Sequence, residues 1–433
     1  MKILLLGLGR ANIYVARYLL EKGHDIYLFE ENMRGLNDEA RKLLREGNIK
    51  KYRDIEYDLA ICSPGFPESK PIIEHIRKSG TELIDETEFT FSNIHDPQVV
   101  AVTGTNGKST TAALISSILE NAGIRNFLGG NIAPGQPFSS VLFQKPYTYY
   151  ILEMSSFQLS RIKKFHPRIA VLTNISPDHL NWHQNLNQYI SAKKRIFTNQ
   201  TVEDYAVINF EDENVRSAVK DVEARIIYFG QKCKEGAWLN GRLHFQNDEI
   251  ISRDEIPLPG YHNQLNALAA IAVAKILQIS NQCIRGGIRN FKSLPHRLED
   301  IGIIDGIRYV NNSMSTNEAS AIASFKALPG NKIVIVGGRE KGDRCENYLR
   351  LLIGEAKAIV ILGENAKRIA MFLEENKYNN YVVVQDMNEA IVEAKKFANA
   401  GDTIMLNPGF ASFGNFRDFQ ERGDAFKHGV LKY

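Results

Sequence analysis

"VVAVTGTNGKST", residues 99–110, is the stretch from which the rest of the chain can be read. Four apolar residues run into Thr-Gly-Thr-Asn-Gly, then Lys108, Ser109 and Thr110. The pattern predicts a buried strand, a tight loop and the first turn of a helix. In such a loop Gly104, Thr105, Asn106 and Gly107 let backbone N–H groups converge on phosphate oxygens, and the helix adds its N-terminal dipole. Lys108 would reach the outer phosphates, with Ser109 or Thr110 turning a hydroxyl toward Mg²⁺. The loop is a shortened variant, because Ala101 or Val102 stands where the usual G-x-x-x-x-G-K-S/T pattern has its first glycine. An ordinary glycine turn before a helix is the plain alternative. Strand, both glycines, Lys-Ser-Thr and helix together favour a nucleoside triphosphate.

The surroundings alternate strands and helices. Before the loop, "KILLLGLG", "DIYLFE" and "YDLAICSPG" read as strands, with helical patterns at "ANIYVARYLLEKG" and "ESKPIIEHIRKSG". Beyond it come "TYYILEMS" and "RIAVLTNIS", then an amphipathic helix at "NQLNALAAIAVAKIL". The last part carries "NKIVIVGG", "AKAIVILG", "NYVVVQD" and "DTIMLNPG", each separated by a helical pattern. This alternation predicts an α/β protein with parallel sheets covered on both faces. Polar "SNIHDPQ" and the linker-like "SLPHRLED" set three expected domains, residues 1–94, 95–293 and 294–433. A chain of 433 residues accommodates that number.

Composition narrows the function classes. With 53 basic against 50 acidic residues there is no general attraction to nucleic acid or to an anionic membrane. No apolar run reaches the length of a membrane span, and "MKILLLGLGR" reads as a strand rather than a leader. Cys62, Cys233, Cys283 and Cys345 have no paired metal or redox spacing, which suits reduced thiols in the cytoplasm.

Other candidates carry two readings each. "GLGRAN", residues 7–12, lies between a strand and a helix, with Glu30 ending the next strand. It could hold the diphosphate of a nucleotide substrate or of NAD, but Asn12 replaces the third glycine of the dinucleotide fingerprint. Glu153 and His179 follow strands near the loop and would suit a divalent ion bridging phosphates, or be ordinary loop polars; His183 has the weaker case. Lys193, in "YISAKKRIF", reads as one of a solvated pair. Asn263 and Asn266 could meet a purine edge or cap their helix. Arg297 could stabilise transferring phosphoryl charge or form a salt bridge. The Gly-, Ser- and Phe-rich "LNPGFASFGNFRDFQERG" could be a binding loop, or Phe413, Phe416 and Phe419 could simply pack.

Taken in order, the loop, "EMSSFQL", "SPDHL", "AKKRI", "HNQLNALAA", "PHR" and "NPGFASFGNFRDFQERG" resemble the Mur ligases over essentially the whole chain. "TGTNGKST" marks the wider superfamily, while "EMSSFQL" and the "ASFGNFRDFQERG" ending resemble its glutamate-adding branch. The resemblance implies a central P-loop ATPase-like domain between a UDP-substrate domain and a Rossmann-like C-terminal domain. It implies phosphorylation of the carboxylate of UDP-N-acetylmuramoyl-L-alanine by ATP, then attack by the amine of D-glutamate on the acyl phosphate, in peptidoglycan synthesis. Two Mg²⁺ sites are expected, with Ser109 at the first and Glu153, His179 and a carbamylated Lys193 at the second. Lys108 and Arg297 match catalytic positions, and Asn263, Asn266 and Asn312 nucleotide positions. Arg10, Ala11, Glu30, Ser63, Asn131, Ser155 and Gln158 match positions around the UDP substrate; Thr316, Lys341, Ser412, Phe413 and Phe419 match those around the amino acid. The partners so implied are small molecules, with the protein a monomer in the cytoplasm.

One segment departs from the family pattern. Where Asn-Asp-Ser-Lys-Ala-Thr-Asn is usual this chain has "NNSMSTN", residues 311–317, so Asn312 replaces an acid and Met314 a lysine. A Mur-type ligase for another amino acid, and an oxidoreductase using NAD at "GLGRAN", are the alternatives at this point.

Overall fold

Three sheets organise the chain. The computed structural model describes residues 1–46, 49–340 and 344–432, with Leu180 and Asn181 by backbone alone. The first sheet is parallel, in the order β3-β2-β1-β4-β5, from β1 (Lys2–Leu6), β2 (Asp25–Phe29), β3 (Ile49–Lys51), β4 (Leu59–Cys62) and β5 (Leu83–Asp85). Successive residues of a strand face opposite sides. Ile3 and Leu5 therefore pack on Ile13, Ala16 and Leu19 of helix Arg10–Glu21. Leu4 and Leu6 meet Ile72, Ile73 and Ile76 of helix Pro71–Lys78 on the other face. Burial on both faces is why these strands read as unbroken apolar runs.

The second sheet has nine strands in the order β14-β13-β12-β11-β10-β9-β6-β8-β7. Its parallel part is β6 (Val99–Thr103), β7 (Asn126–Gly130), β8 (Tyr149–Glu153), β9 (Ile169–Leu172), β10 (Tyr205–Asn209) and β11 (Arg225–Gly230). β12 (Ala237–Leu239), β13 (Arg242–Phe245) and β14 (Asp248–Ser252) extend it as an antiparallel meander. β6 lies between β8 and β9, so the quoted loop leaves the middle of the sheet. The third sheet, β15-β16-β20-β17-β18-β19, is parallel apart from the β15–β16 hairpin. Its strands are β15 (Glu299–Ile304), β16 (Ile307–Asn311), β17 (Lys332–Val336), β18 (Ala358–Ile361), β19 (Tyr381–Val383) and β20 (Thr403–Leu406).

Helix Tyr261–Ile276 corrects one expectation. It is not amphipathic: every residue from Ala267 to Ala274 is buried. Its small alanines leave no polar stripe, so the 3.6-residue period has nothing to show.

By compactness the chain divides into two units. One comprises Met1–Ser252 with Asn266–Ile288 and holds the first two sheets; the other comprises Arg253–Leu265 and the chain from Arg289 onward and holds the third. Among the described residues no helix is long and apolar enough to cross a membrane, and none of the four cysteines is in a disulfide. Cys62, Cys233 and Cys345 are buried and Cys283 is half-buried. Burial pushes the Cys62 and Cys233 thiols up to about 12.

Candidate active site

β6 ends at Thr103, and the loop turns into helix Lys108–Asn121 with the backbone geometry its glycines permit. Gly104 has φ +149° and a Cβ there would lie 2.0 Å from Thr173 Oγ1; Gly107 has φ +82° and a Cβ would lie 2.3 Å from Asn266 Oδ1. Both positions exclude a side chain. The loop is braced from β9: Thr105 N donates to Asn174 O (2.8 Å), Asn106 N to Asn174 Oδ1 (2.9 Å), and Thr173 Oγ1 to Asn106 O (2.7 Å). No side chain caps the helix, an arrangement in which an anion can take the cap's place. Lys108 Nζ folds back to donate to Thr105 O at 2.7 Å. Thr110 is half-buried in the same first turn.

Beside this turn stands Glu153, buried at the end of β8. Ser109 Oγ donates to its Oε2, and Asn131 Nδ2 to its Oε1 at 2.8 Å. A hydroxyl and a carboxylate held together at a phosphate loop form a hard-oxygen pair of the kind Mg²⁺ prefers. Lys193 is 1 % exposed, so it is not part of a solvated face. Its Nζ donates to Gly104 O (2.6 Å) and lies 4.5 Å from the Tyr189 ring centre. Burial, then the neighbouring charge of Lys108, holds the amine well below the usual lysine range, against the pull of Asp178 and Glu153. His179 has φ +55° and packs its ring 5.0 Å from that of Phe157. Among the described residues no three His, Cys, Asp or Glu side chains gather as a ready metal cage. His183 is not on the surface: it is buried, bonded to Ser156 Oγ at 2.8 Å, and brought down to about 4, chiefly by burial.

The first sheet meets the second within the same unit. Asn12, the departure from the dinucleotide fingerprint, is buried and donates to Gly7 O at 2.8 Å, bracing the turn. Glu30 accepts from Leu8 N (3.1 Å) and Asn32 N (2.9 Å). Arg10 is exposed and donates to Gly135 O at 2.6 Å, while Ala11 is buried and its carbonyl accepts from Ser139 Oγ at 2.9 Å. Ser155 and Gln158 bond each other as a capping box, and Gln158 Nε2 reaches Thr87 Oγ1 at 3.1 Å. Half-buried Ser63 gives its carbonyl to Arg161 Nη1 at 3.4 Å.

In the second unit the expected residues that are described sit in four segments. Asn312 is buried, accepting from Leu298 N (3.0 Å) and donating to Asn407 Oδ1 (2.8 Å). Arg297 and Thr316 are half-buried. Ser412 is buried and Phe413 exposed; Phe419, whose carbonyl accepts from Ser313 Oγ at 2.7 Å, has its ring 6.0 Å from that of His296. Asn263 belongs to this unit and donates to Pro259 O (2.7 Å), whereas Asn266 lies in the other unit, accepting from Thr111 Oγ1 at 3.3 Å. Lys341 lies outside the described residues. Sequence reasoning missed Asn174, Tyr189, Arg161 and Arg422. "TNIS" after an apolar run was the available signal for Asn174, and Tyr189 and Arg422 lie inside the quoted "YISAKKRIF" and "LNPGFASFGNFRDFQERG"; Arg161 has no local signal.

A family model described as the Mur ligase middle domain matches residues 102–274, and one described as the Mur ligase, glutamate ligase domain matches residues 296–410. The chain is 35% identical to the UDP-N-acetylmuramoylalanine--D-glutamate ligase of Pelotomaculum thermopropionicum, over 99% of this chain and 97% of the relative. It is 34% identical to the protein of that name from Clostridioides difficile, over 99% and 98%. Among solved structures it is similar in fold to the UDP-N-acetylmuramate-alanine ligase MurC of Thermotoga maritima, with TM-score 0.64, 21% identity, and 100% and 99% of the two chains covered. The MurF ligase of Thermotoga maritima in complex with ADP is also similar, with TM-score 0.61, 18% identity and 91% and 92% coverage.

Proposed function

The chain belongs to the Mur ligase family, and from that premise we propose that it joins D-glutamate to UDP-N-acetylmuramoyl-L-alanine, driven by ATP, in peptidoglycan synthesis. The observation that carries this reading is the phosphate loop whose first helical turn gives Ser109 to the Glu153 carboxylate, with the buried Lys193 amine on the Gly104 carbonyl. The full-length relatives named for this reaction support the substrates.

A carboxylate is a poor electrophile because its leaving group would be oxide. Transfer of the γ-phosphoryl group forms a C–O–P linkage as the bond to ADP breaks. The amine of glutamate then attacks the carbonyl carbon, loses a proton, and phosphate departs with its bonding electrons. Lys108 must leave Thr105 O to neutralise the transferring phosphoryl group, helped by the loop amides. Ser109 would sit at one Mg²⁺, which when bound supplies charge neutralisation. A second ion needs an anionic ligand where Lys193 stands. A buried amine biased toward its neutral form can add to CO₂, forming an N–C bond and releasing a proton. The resulting carbamate would join Glu153 and His179.

Under this reading Gly104 to Thr110, Asn263, Asn266, Arg297 and Asn312 serve ATP. Arg10, Ala11, Glu30, Ser63, Asn131, Ser155 and Gln158 serve the UDP substrate; Thr316, Lys341, Ser412, Phe413 and Phe419 serve glutamate. Residues 1–94, 95–293 and 294–433 are the corresponding functional domains of a monomer working in the cytoplasm. Glu30 has one carboxylate oxygen on Leu8 N of the glycine turn and the other on Asn32 N of its own loop, so both are engaged in bracing the two loops.

Phosphate release tests the proposal. Protein with ATP, Mg²⁺, UDP-N-acetylmuramoyl-L-alanine and D-glutamate should release phosphate, and omission of any one should stop it. The Lys193→Ala variant should lose about ten- to hundredfold in rate, the scale seen when a ligand's support is removed, and recover in part with added short carboxylates. Release that ignores the amino acid, or prefers a different one, would overturn the assignment.

A further inference from the structure

At the carboxyl ends of β17 and β20 the second unit buries a guanidinium that no acid among the described residues pairs with. Arg422 is 3 % exposed. Its Nε donates to Ser313 Oγ (3.1 Å), Nη2 to Ser313 O (2.8 Å), and Nη1 to Phe410 O (3.1 Å) and, more weakly, Gly337 O (3.4 Å). All four acceptors are neutral, and no ion pair reaches Arg422 among the described residues. Burial pulls the group down to about 9, so it is still a cation at neutral pH. A charge kept in a low-dielectric interior without a counter-ion carries a substantial desolvation penalty.

Its position suggests what offsets that penalty. Arg422 lines a cleft with Gly337, Gly338, Ser412, Phe413 and Phe416, outside the carboxyl ends of parallel strands, where such sheets take their ligands. Its hydrogen bonds join three segments that run on to Thr316, Ser412 and Phe419. A carboxylate entering this cleft gains from the uncompensated cation through a poorly screening interior. A carboxamide of the same shape gains almost nothing.

We propose that Arg422 is a positioning residue that sets specificity for an acidic side chain on the incoming amino acid, fixing the Ser313 and Phe410 segments with its planar fork and supplying a buried positive charge at the cleft. The assignment rests on the glutamate-adding reading above and goes beyond it by naming what separates glutamate from glutamine.

The test compares the parent with Arg422→Met and Arg422→Lys in phosphate release, using D-glutamate and D-glutamine, together with thermal melts. The methionine variant should raise KM for glutamate by about ten- to hundredfold, the value of a charged hydrogen-bonding group. KM for ATP and for the UDP substrate should hold, and the glutamate-to-glutamine ratio of kcat/KM should fall by the same factor. The lysine variant, which keeps the charge without the fork, should keep the preference with a raised KM. A methionine variant as selective as the parent overturns the proposal while leaving the reaction assignment intact, and so do KM values that rise together for all substrates. If the methionine variant does not fold, a lysine variant with the parent's KM for glutamate overturns it. A parent that turns over without preferring glutamate removes both readings.

Discussion

Asp85 ends β5 with one carboxylate oxygen capping helix Glu86–Ser92 through Glu88 N at 3.0 Å. Its other oxygen is buried without a hydrogen-bond partner among the described residues. Burial raises this carboxyl to about 8. The folded protein therefore holds a proton that the unfolded chain releases near the ordinary aspartate range. Stability contributed by that proton falls as pH rises from the unfolded value toward the folded one. Each tenfold difference in proton affinity is worth about 1.4 kcal/mol. Asp85→Asn keeps a capping oxygen and cannot ionise, so its melting temperature should gain on the parent's between pH 5 and pH 8.5. Parallel melting curves across that range would show that Asp85 is already ionised when folded. At this scale the sequence was legible where a residue type has a single structural demand, as at Gly104 and Gly107. It was illegible at Lys193, Asp85 and Arg422, because nothing in a local pattern tells a buried charge from a solvated one.

Elements show a similar division. The strands that read as apolar runs, such as β1, β6 and β17, are central and covered on both faces. The short strands β12, β13 and β14 at one end of the second sheet escaped notice because they run for only three to five residues and the outer two carry exposed polar residues such as Arg242, Asp248 and Glu249. The loop after β4 shows how elements fix a site. Arg161 has its side chain 2 % exposed and donates to Glu68 Oε1 (2.7 Å) and Phe66 O (2.5 Å), besides Ser63 O. It ties the loop carrying Ser63 to the strand-and-helix layer of the second sheet. Arg161→Met should destabilise the protein by about 3 kcal/mol, the cost of breaking a buried ion pair from one side, read as a lower denaturant midpoint. It should also raise KM for the UDP substrate while KM for ATP holds; equal rises in both would mean that the loop is not specific to that substrate.

Over the whole molecule the alternation of strands and helices foretold three parallel-rich sheets, whereas the two compact units were not legible. Arg253–Leu265 belongs with residues far along the chain, and Gly260 packs so closely on Ala327 that a Cβ would fall 2.6 Å from its methyl. Such a return of the chain is a tertiary fact without a local signature. The scattered thiols, in turn, make the native protein its own set of clocks. Cys62 reports on the first sheet, Cys233 on the second and Cys345 on the third, with no engineered label needed. A thiol reagent added to the native protein should modify Cys283 promptly, and the other three only at the rate at which their surroundings open. ATP should slow Cys233 more than Cys345 if nucleotide binding steadies the second sheet's unit, and mass spectrometry of the labelled peptides would time each region separately.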